Sequence, residues 1–174
     1  SVGLLLSLGE NTLGGCTGTF VGHNVMATAA HCVDRYPTAK LVFTSANRVT
    51  TEQAFTGLKG NSVEATKVIV APESLAAVKP TKINLDTVHK DMAFVIFPDK
   101  TAPAISPVMD AVPSKGAKVT IVGYGKTTMD DSGGSDGFVK RVGNNTYTQS
   151  SEDMREIIPS TLVLLGEGAT IGAK

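Results

Sequence analysis

The sequence predicts an all-β fold, and three observations carry that expectation. Val, Ile and Thr number 19, 8 and 20 against 12 Leu, and β-branched side chains suit a pleated strand while they are stiff in a helix. Eighteen Gly and eight Pro supply turn residues freely. Runs of four to seven strand-forming residues recur between polar or Gly-rich segments, the pattern of a barrel or sandwich.

The same composition excludes several classes. With 41% hydrophobic and 18% charged residues over 174 positions, the chain is no disordered polymer, and it is long enough for one ordinary domain or two small ones. Sixteen Lys and Arg balance sixteen Asp and Glu, so no basic stripe is available for phosphates and nucleic-acid binding is not its main task. No apolar run approaches the roughly 20 residues of a membrane-spanning helix. There is no Trp, so the core is expected to be aliphatic with Phe and Tyr.

Element by element, residues 2–8 read as a strand ending at Gly9-Glu10-Asn11, and 17–21 as a second ending at Gly22-His23-Asn24. The start, Ser1-Val2-Gly3-Leu4-Leu5-Leu6, lacks the basic flank of a signal peptide and reads as a strand that begins abruptly. Residues 25–28 form a third strand, followed by the small-residue turn Ala29-Ala30-His31-Cys32-Val33, which suits one helical turn. Further strands are expected at 40–44, 67–70, 92–97 and 118–122, and short helices at 73–78 and 151–157, the latter with Ser151 as a cap. Pro98, Pro103, Pro107 and Pro113 fall in sixteen residues and forbid a central strand there. That stretch, 98–113, therefore reads as an extended connection between residues 1–97 and residues 114–174.

Cys16 and Cys32 lie sixteen apart, with His31 beside the second. A zinc reading wants short paired spacing such as Cys-x-x-Cys, which is absent. The two thiols form either a single disulfide, as in a secreted chain, or two buried free cysteines, as in a cytosolic one.

The surrounding letters are more specific. Gly15-Cys16-Thr17-Gly18-Thr19-Phe20-Val21, then Met26-Ala27-Thr28-Ala29-Ala30-His31-Cys32, resembles the catalytic-histidine region of the trypsin-like, chymotrypsin-fold serine proteases. Asp91-Met92-Ala93-Phe94 resembles that family's acidic residue at the head of an apolar strand, and fits better than Asp86-Thr87-Val88. Val119-Thr120-Ile121-Val122-Gly123-Tyr124-Gly125 resembles the strand that opens the family's second barrel, with Tyr in place of Trp. The resemblance implies two six-stranded Greek-key β-barrels, the second incomplete in this chain. It also implies a Cys16–Cys32 disulfide, His31 as general base and acid, and Asp91 as its orienting carboxylate. His89 is read as a loop residue.

The expected activity is then that of a serine endopeptidase. A serine hydroxyl is a poor nucleophile until a base takes its proton, and imidazole titrates near working pH. The nucleophile is harder to place. Asp131-Ser132-Gly133-Gly134-Ser135 matches part of the family's Gly-Asp-Ser-Gly-Gly-Pro signature. However, Asp130 stands where the oxyanion-hole glycine belongs, Ser135 stands for the proline, and Ser132 follows Gly125 by only seven residues. A surface Ser/Gly loop is the better account of that segment. The stretch 160–166 resembles the family's strand that precedes the true serine, which places the nucleophile just beyond Lys174.

The remaining expectations follow from the same reading. The parent is expected to be a bacterial protein, secreted or periplasmic, seen here as a piece at both ends, with a protein or peptide substrate and no cofactor or metal. A second polypeptide carrying the serine segment is a further expected partner. Two alternatives stand beside it: an inactive homologue that binds proteins, and a compact hydrolase using Ser132. Gly125-Lys126-Thr127 imitates the end of a phosphate-binding loop, but Thr120 occupies the required first glycine. Asn144-Asn145-Thr146 fits a glycosylation acceptor, a match too short to carry weight.

Overall fold

The computed structural model describes residues 1–148 apart from 11, 35, 57, 59, 71, 73–90, 112 and 126–136. Its strands are β1 (Val2–Leu8), β2 (Leu13–Phe20), β3 (Val25–Thr28), β4 (Lys40–Thr44), β5 (Arg48–Val49), β6 (Val63–Glu64), β7 (Lys67–Val70), β8 (Ala93–Ile96), β9 (Lys118–Gly123), β10 (Phe138–Val139) and β11 (Arg141–Thr146). A 3-10 turn forms at Ala30–Cys32 and a short helix, α1, at Thr51–Phe55, and Pro72 is also helical. The all-β expectation holds. The helices expected at 73–78 and 151–157 and the strand at 160–166 lie outside the described residues, as do His89 and Ser132.

Seven strands form one sheet in the order β6-β4-β1-β2-β3-β8-β7, with every neighbouring pair antiparallel. β6 and β7 occupy opposite edges of that order, yet only Ala65 and Thr66 separate them in the chain. Ala65 donates its backbone N–H to Leu41 on β4, and Thr66 donates to Ile96 on β8, both at 2.8 Å. One bent segment therefore serves both edges, and the sheet curls round until they meet. Curling hides edge N–H and C=O groups that would otherwise template pairing with another chain.

The curl encloses an apolar core. Leu5, Phe20, Met26, Leu41, Phe43, Val95 and Phe97 are buried together, and the three Phe rings pack edge to face with centroids 4.9–5.9 Å apart. Such contacts add about 0.5–1.5 kcal/mol per pair beyond simple burial. They fill the space that a tryptophan-free chain must fill otherwise. Gly18 on β2 is required here, since a Cβ at that position would meet the Met26 side chain.

β1 is buried on both faces. Leu5 points into the curl, while Leu4 and Leu6 point outward against Val49, Ala54, Tyr124 and Phe138. This explains why β1 reads as an uninterrupted apolar run instead of alternating, the signature of a strand covered on two sides. The outer layer comes from α1, the β5–β10 pair and the end of β9. The Tyr124 hydroxyl donates to the Ala46 carbonyl at 2.7 Å. Burial pushes its pKa up, and a hydrogen bond from the Leu4 backbone offsets this in part.

Residues 98–111 carry neither strand nor helix, as their prolines require. They run along the β2–β3 hairpin, where Ala102 donates to the His23 carbonyl at 3.0 Å and Ser106 to the Phe20 carbonyl at 2.9 Å. β9 and β11 pair antiparallel over six residues, from Arg141 opposite Gly123 to Thr146 opposite Lys118.

Candidate active site

The site is assembled by strand register. β3 and β8 pair antiparallel, with Thr28 opposite Ala93 as the last pair at one end. His31 lies three residues beyond Thr28, and Asp91 lies two residues before Ala93. Antiparallel pairing thus delivers both residues to the same end of the sheet, although 60 positions separate them in sequence.

There the Asp91 carboxylate grips His31 with both oxygens. Oδ1 accepts the His31 backbone N–H at 2.9 Å, and Oδ2 lies 2.6 Å from ring Nδ1. A carboxylate acts only as an acceptor, so this contact places the proton on Nδ1 and leaves the Nε2 lone pair free. Charge-assisted bonds of this kind are short and about twice as strong as neutral ones. The His31 and Asp91 side chains are 42% and 27% exposed, so an incoming reactant can reach the pair.

The local sequence explains why His31 stands where it does. Ala29 is extended, with φ −78° and ψ 147°, and Ala30–Cys32 then makes a single 3-10 turn with Ala30 buried. Small residues at 29 and 30 let that turn tuck against the core. Cys32 is bonded to Cys16 on β2, with Cα atoms 6.1 Å apart, within the span a disulfide needs. The bond staples the histidine turn to the neighbouring strand, and the free-thiol alternative is set aside.

Thr17, next to Cys16, links this corner to the rest of the molecule. Its carbonyl accepts the Thr28 hydroxyl at 3.0 Å, and its own hydroxyl accepts the Tyr124 backbone N–H at 2.9 Å. A Cβ on Gly123 would crowd the Thr17 side chain. The Gly123-Tyr124 motif therefore docks directly behind the histidine turn. Sequence reasoning saw Thr17 only as one letter of a motif. Its bridging role leaves no local signal, because both partners come from distant segments.

A ring nitrogen of His31 and the sulfurs of Cys16 and Cys32 lie within 4.8 Å of one another. In the oxidised state the sulfurs are bonded to each other and are not ligands.

A curled antiparallel sheet, with a disulfide-stapled histidine bonded to an aspartate at its end, defines the chymotrypsin-like fold class. The chain belongs to the trypsin family, whose family model, described as Trypsin, matches residues 5–167. Among solved structures it is similar to one described as GrC, with 16% identity and a TM-score of 0.59. That match covers 90% of this chain and 63% of the other, so this chain spans less than two thirds of that protein's length. It is also similar to a scabies mite inactivated protease paralogue, with 18% identity and a TM-score of 0.58, covering 99% of this chain and 72% of the other. At these identities the likeness is one of fold. No match is found among curated protein sequences.

Proposed function

We propose that this protein is a serine endopeptidase that cleaves peptide bonds through an acyl-enzyme, with His31 and Asp91 as two members of its Ser-His-Asp triad. The observation that carries the reading is the two-point hold of Asp91 on His31, through the backbone N–H and Nδ1. This fixes the imidazole in the tautomer whose Nε2 accepts a serine proton. As the hydroxyl attacks the scissile carbonyl, Nε2 takes its proton and the Asp91 carboxylate stabilises the imidazolium. The proton then passes to the leaving amine, and water repeats the sequence on the acyl-enzyme.

In this proposal the nucleophilic serine lies outside residues 1–174, and Ser132 plays no part in catalysis. Residues 1–97 form the barrel that carries His31 and Asp91, 98–113 the connection, and 114–174 part of the second barrel. The disulfide favours an oxidising compartment, secreted or periplasmic. The test is a fluorophosphonate probe on the full-length gene product, with peptide hydrolysis measured alongside. Labelling abolished by His31→Ala but retained in Ser132→Ala is expected. Labelling lost in Ser132→Ala, with the fold intact, favours a hydrolase that uses that serine.

A second reading is a catalytically inactive homologue that binds proteins. The similarity to an inactivated scabies mite paralogue is consistent with it, since there the same fold outlasts activity. The intact His31–Asp91 pair weighs against it, because a binding surface gains nothing from an oriented imidazole. A full-length product that labels with no probe yet captures a protein partner would favour this reading.

A further inference from the structure

The ligating atoms of Cys16, Cys32 and His31 converge within 4.8 Å, and two of them are consumed only by their bond to each other. The local sequence spacing has no zinc motif, so the convergence is a product of the fold. We propose that, when the disulfide is reduced, Cys16, Cys32 and His31 bind one thiophilic divalent cation, with zinc as the type.

The geometry needs little adjustment. Zinc takes thiolate sulfur at about 2.3 Å and imidazole nitrogen at about 2.0–2.1 Å, which spaces tetrahedral ligands about 3.5–3.8 Å apart. With the Cα atoms 6.1 Å apart, binding in this mode requires the reduced sulfurs to separate to that spacing by rotation about their Cα–Cβ bonds. Asp91 already holds Nδ1 of the imidazole at 2.6 Å. Metal-bound histidines typically have this arrangement, with a carboxylate on the other ring nitrogen fixing the tautomer and raising ligand basicity. Two thiolates neutralise the cation and select soft or borderline metals over calcium or magnesium. Three protein ligands leave a fourth position for water.

The chemistry balances with a thiol or phosphine reductant. A dithiol gives two electrons and two protons to the Cys16–Cys32 bond and leaves as its own disulfide, while the two cysteines become thiols. A phosphine gives the two electrons and leaves as its oxide, with water supplying the oxygen and both protons. The cation then displaces one proton from each thiol and forms two metal–sulfur bonds and one metal–nitrogen bond. On the proposed function, which this consequence alone rests upon, the bound cation occupies the nitrogen that would serve as base. Reduction and metal together then silence the site.

The test uses cobalt(II) as probe on the full chain, with and without phosphine reduction, and needs no activity measurement. The oxidised protein is expected to show no thiolate-to-cobalt charge-transfer band. The reduced protein is expected to bind one cobalt with the intense visible bands of four-coordinate geometry and to release two protons. Zinc should displace that cobalt. Cys16→Ala is expected to lose the two-thiolate spectrum, and His31→Ala, which removes a ligand itself, to weaken cobalt by at least the roughly tenfold that loss of a ligand's hydrogen-bond partner costs. Circular dichroism of the reduced, cobalt-bound chain should retain the strand signal. A reduced protein without the band, one that binds only after unfolding, or equal affinity in His31→Ala would each overturn the proposal.

Discussion

Asp91 binds His31 twice, at the backbone N–H through Oδ1 and at Nδ1 through Oδ2, at 2.9 and 2.6 Å. The first bond anchors the position of the 3-10 turn, and the second orients the ring upon it. A single carboxylate therefore sets both where the imidazole stands and which nitrogen it offers.

Asp91→Asn is expected to keep the fold and lose the function. An amide in that place can present its N–H to the ring and select the wrong tautomer. In a triad this costs about 10⁴-fold in kcat. Hydrolysis by the full-length product should fall by that order while its thermal midpoint moves little. A loss below tenfold would remove Asp91 from the proposed role.

Removing the Cys16–Cys32 bond by a double Ala substitution is expected to cost about 3 kcal/mol, the chain-entropy value for a loop of this size. Urea unfolding monitored by circular dichroism measures it. Peptide hydrolysis should fall as well, because the staple holds the turn that carries His31.

Phe20→Ala removes the ring that meets both Phe43 and Phe97 at a fully buried position. A loss of about 3–5 kcal/mol is expected, with Phe20→Leu costing less because it refills part of the void. Denaturant midpoints for the two variants check the order.

Tyr124 predicts an alkaline limit to stability. Burial raises the pKa of its phenol in the folded state above the unfolded value of 10.0, so the unfolded chain releases this proton first as pH rises. Its contribution is therefore complete below pH 10 and is lost as pH climbs through the folded pKa. Tyr124→Phe should cost about 1–2 kcal/mol at neutral pH, through the Ala46 carbonyl left without its donor. It should also flatten the alkaline decline, as equilibrium unfolding between pH 8 and 11 would show.

Much of the first sheet was legible in the letters. The strands at 2–8, 25–28, 40–44 and 67–70 fall where their apolar and β-branched runs place them, and the turn after Thr28 carries the histidine as its small residues imply. Other elements left weaker traces. α1 is announced only by Thr50-Thr51-Glu52-Gln53, a capping box in which the Thr50 hydroxyl accepts from the Gln53 N–H and Gln53 returns a bond to the Thr50 N–H. β11 reads Arg-Val-Gly-Asn-Asn-Thr, a poor strand by propensity, and is held extended by its six-residue pairing with β9. β2 extends back through Gly14 and Gly15 to Leu13, because pairing along the whole length of β1 outweighs the entropy that glycine loses.

The sequence by itself determined the class of fold, the strands with strong local preference, and the family, since each of those is written in side chains close together in the chain. Only the tertiary structure decided how distant segments combine. It showed that 63–70 supplies both edges of the curled sheet, that β1 is covered on two faces, and that Thr17 ties Tyr124 to the histidine corner. The reason is physical. Strand preference is a property of neighbouring residues, whereas register, closure and the 2.6 Å contact between residues 31 and 91 depend on hydrogen-bond partners dozens of positions away.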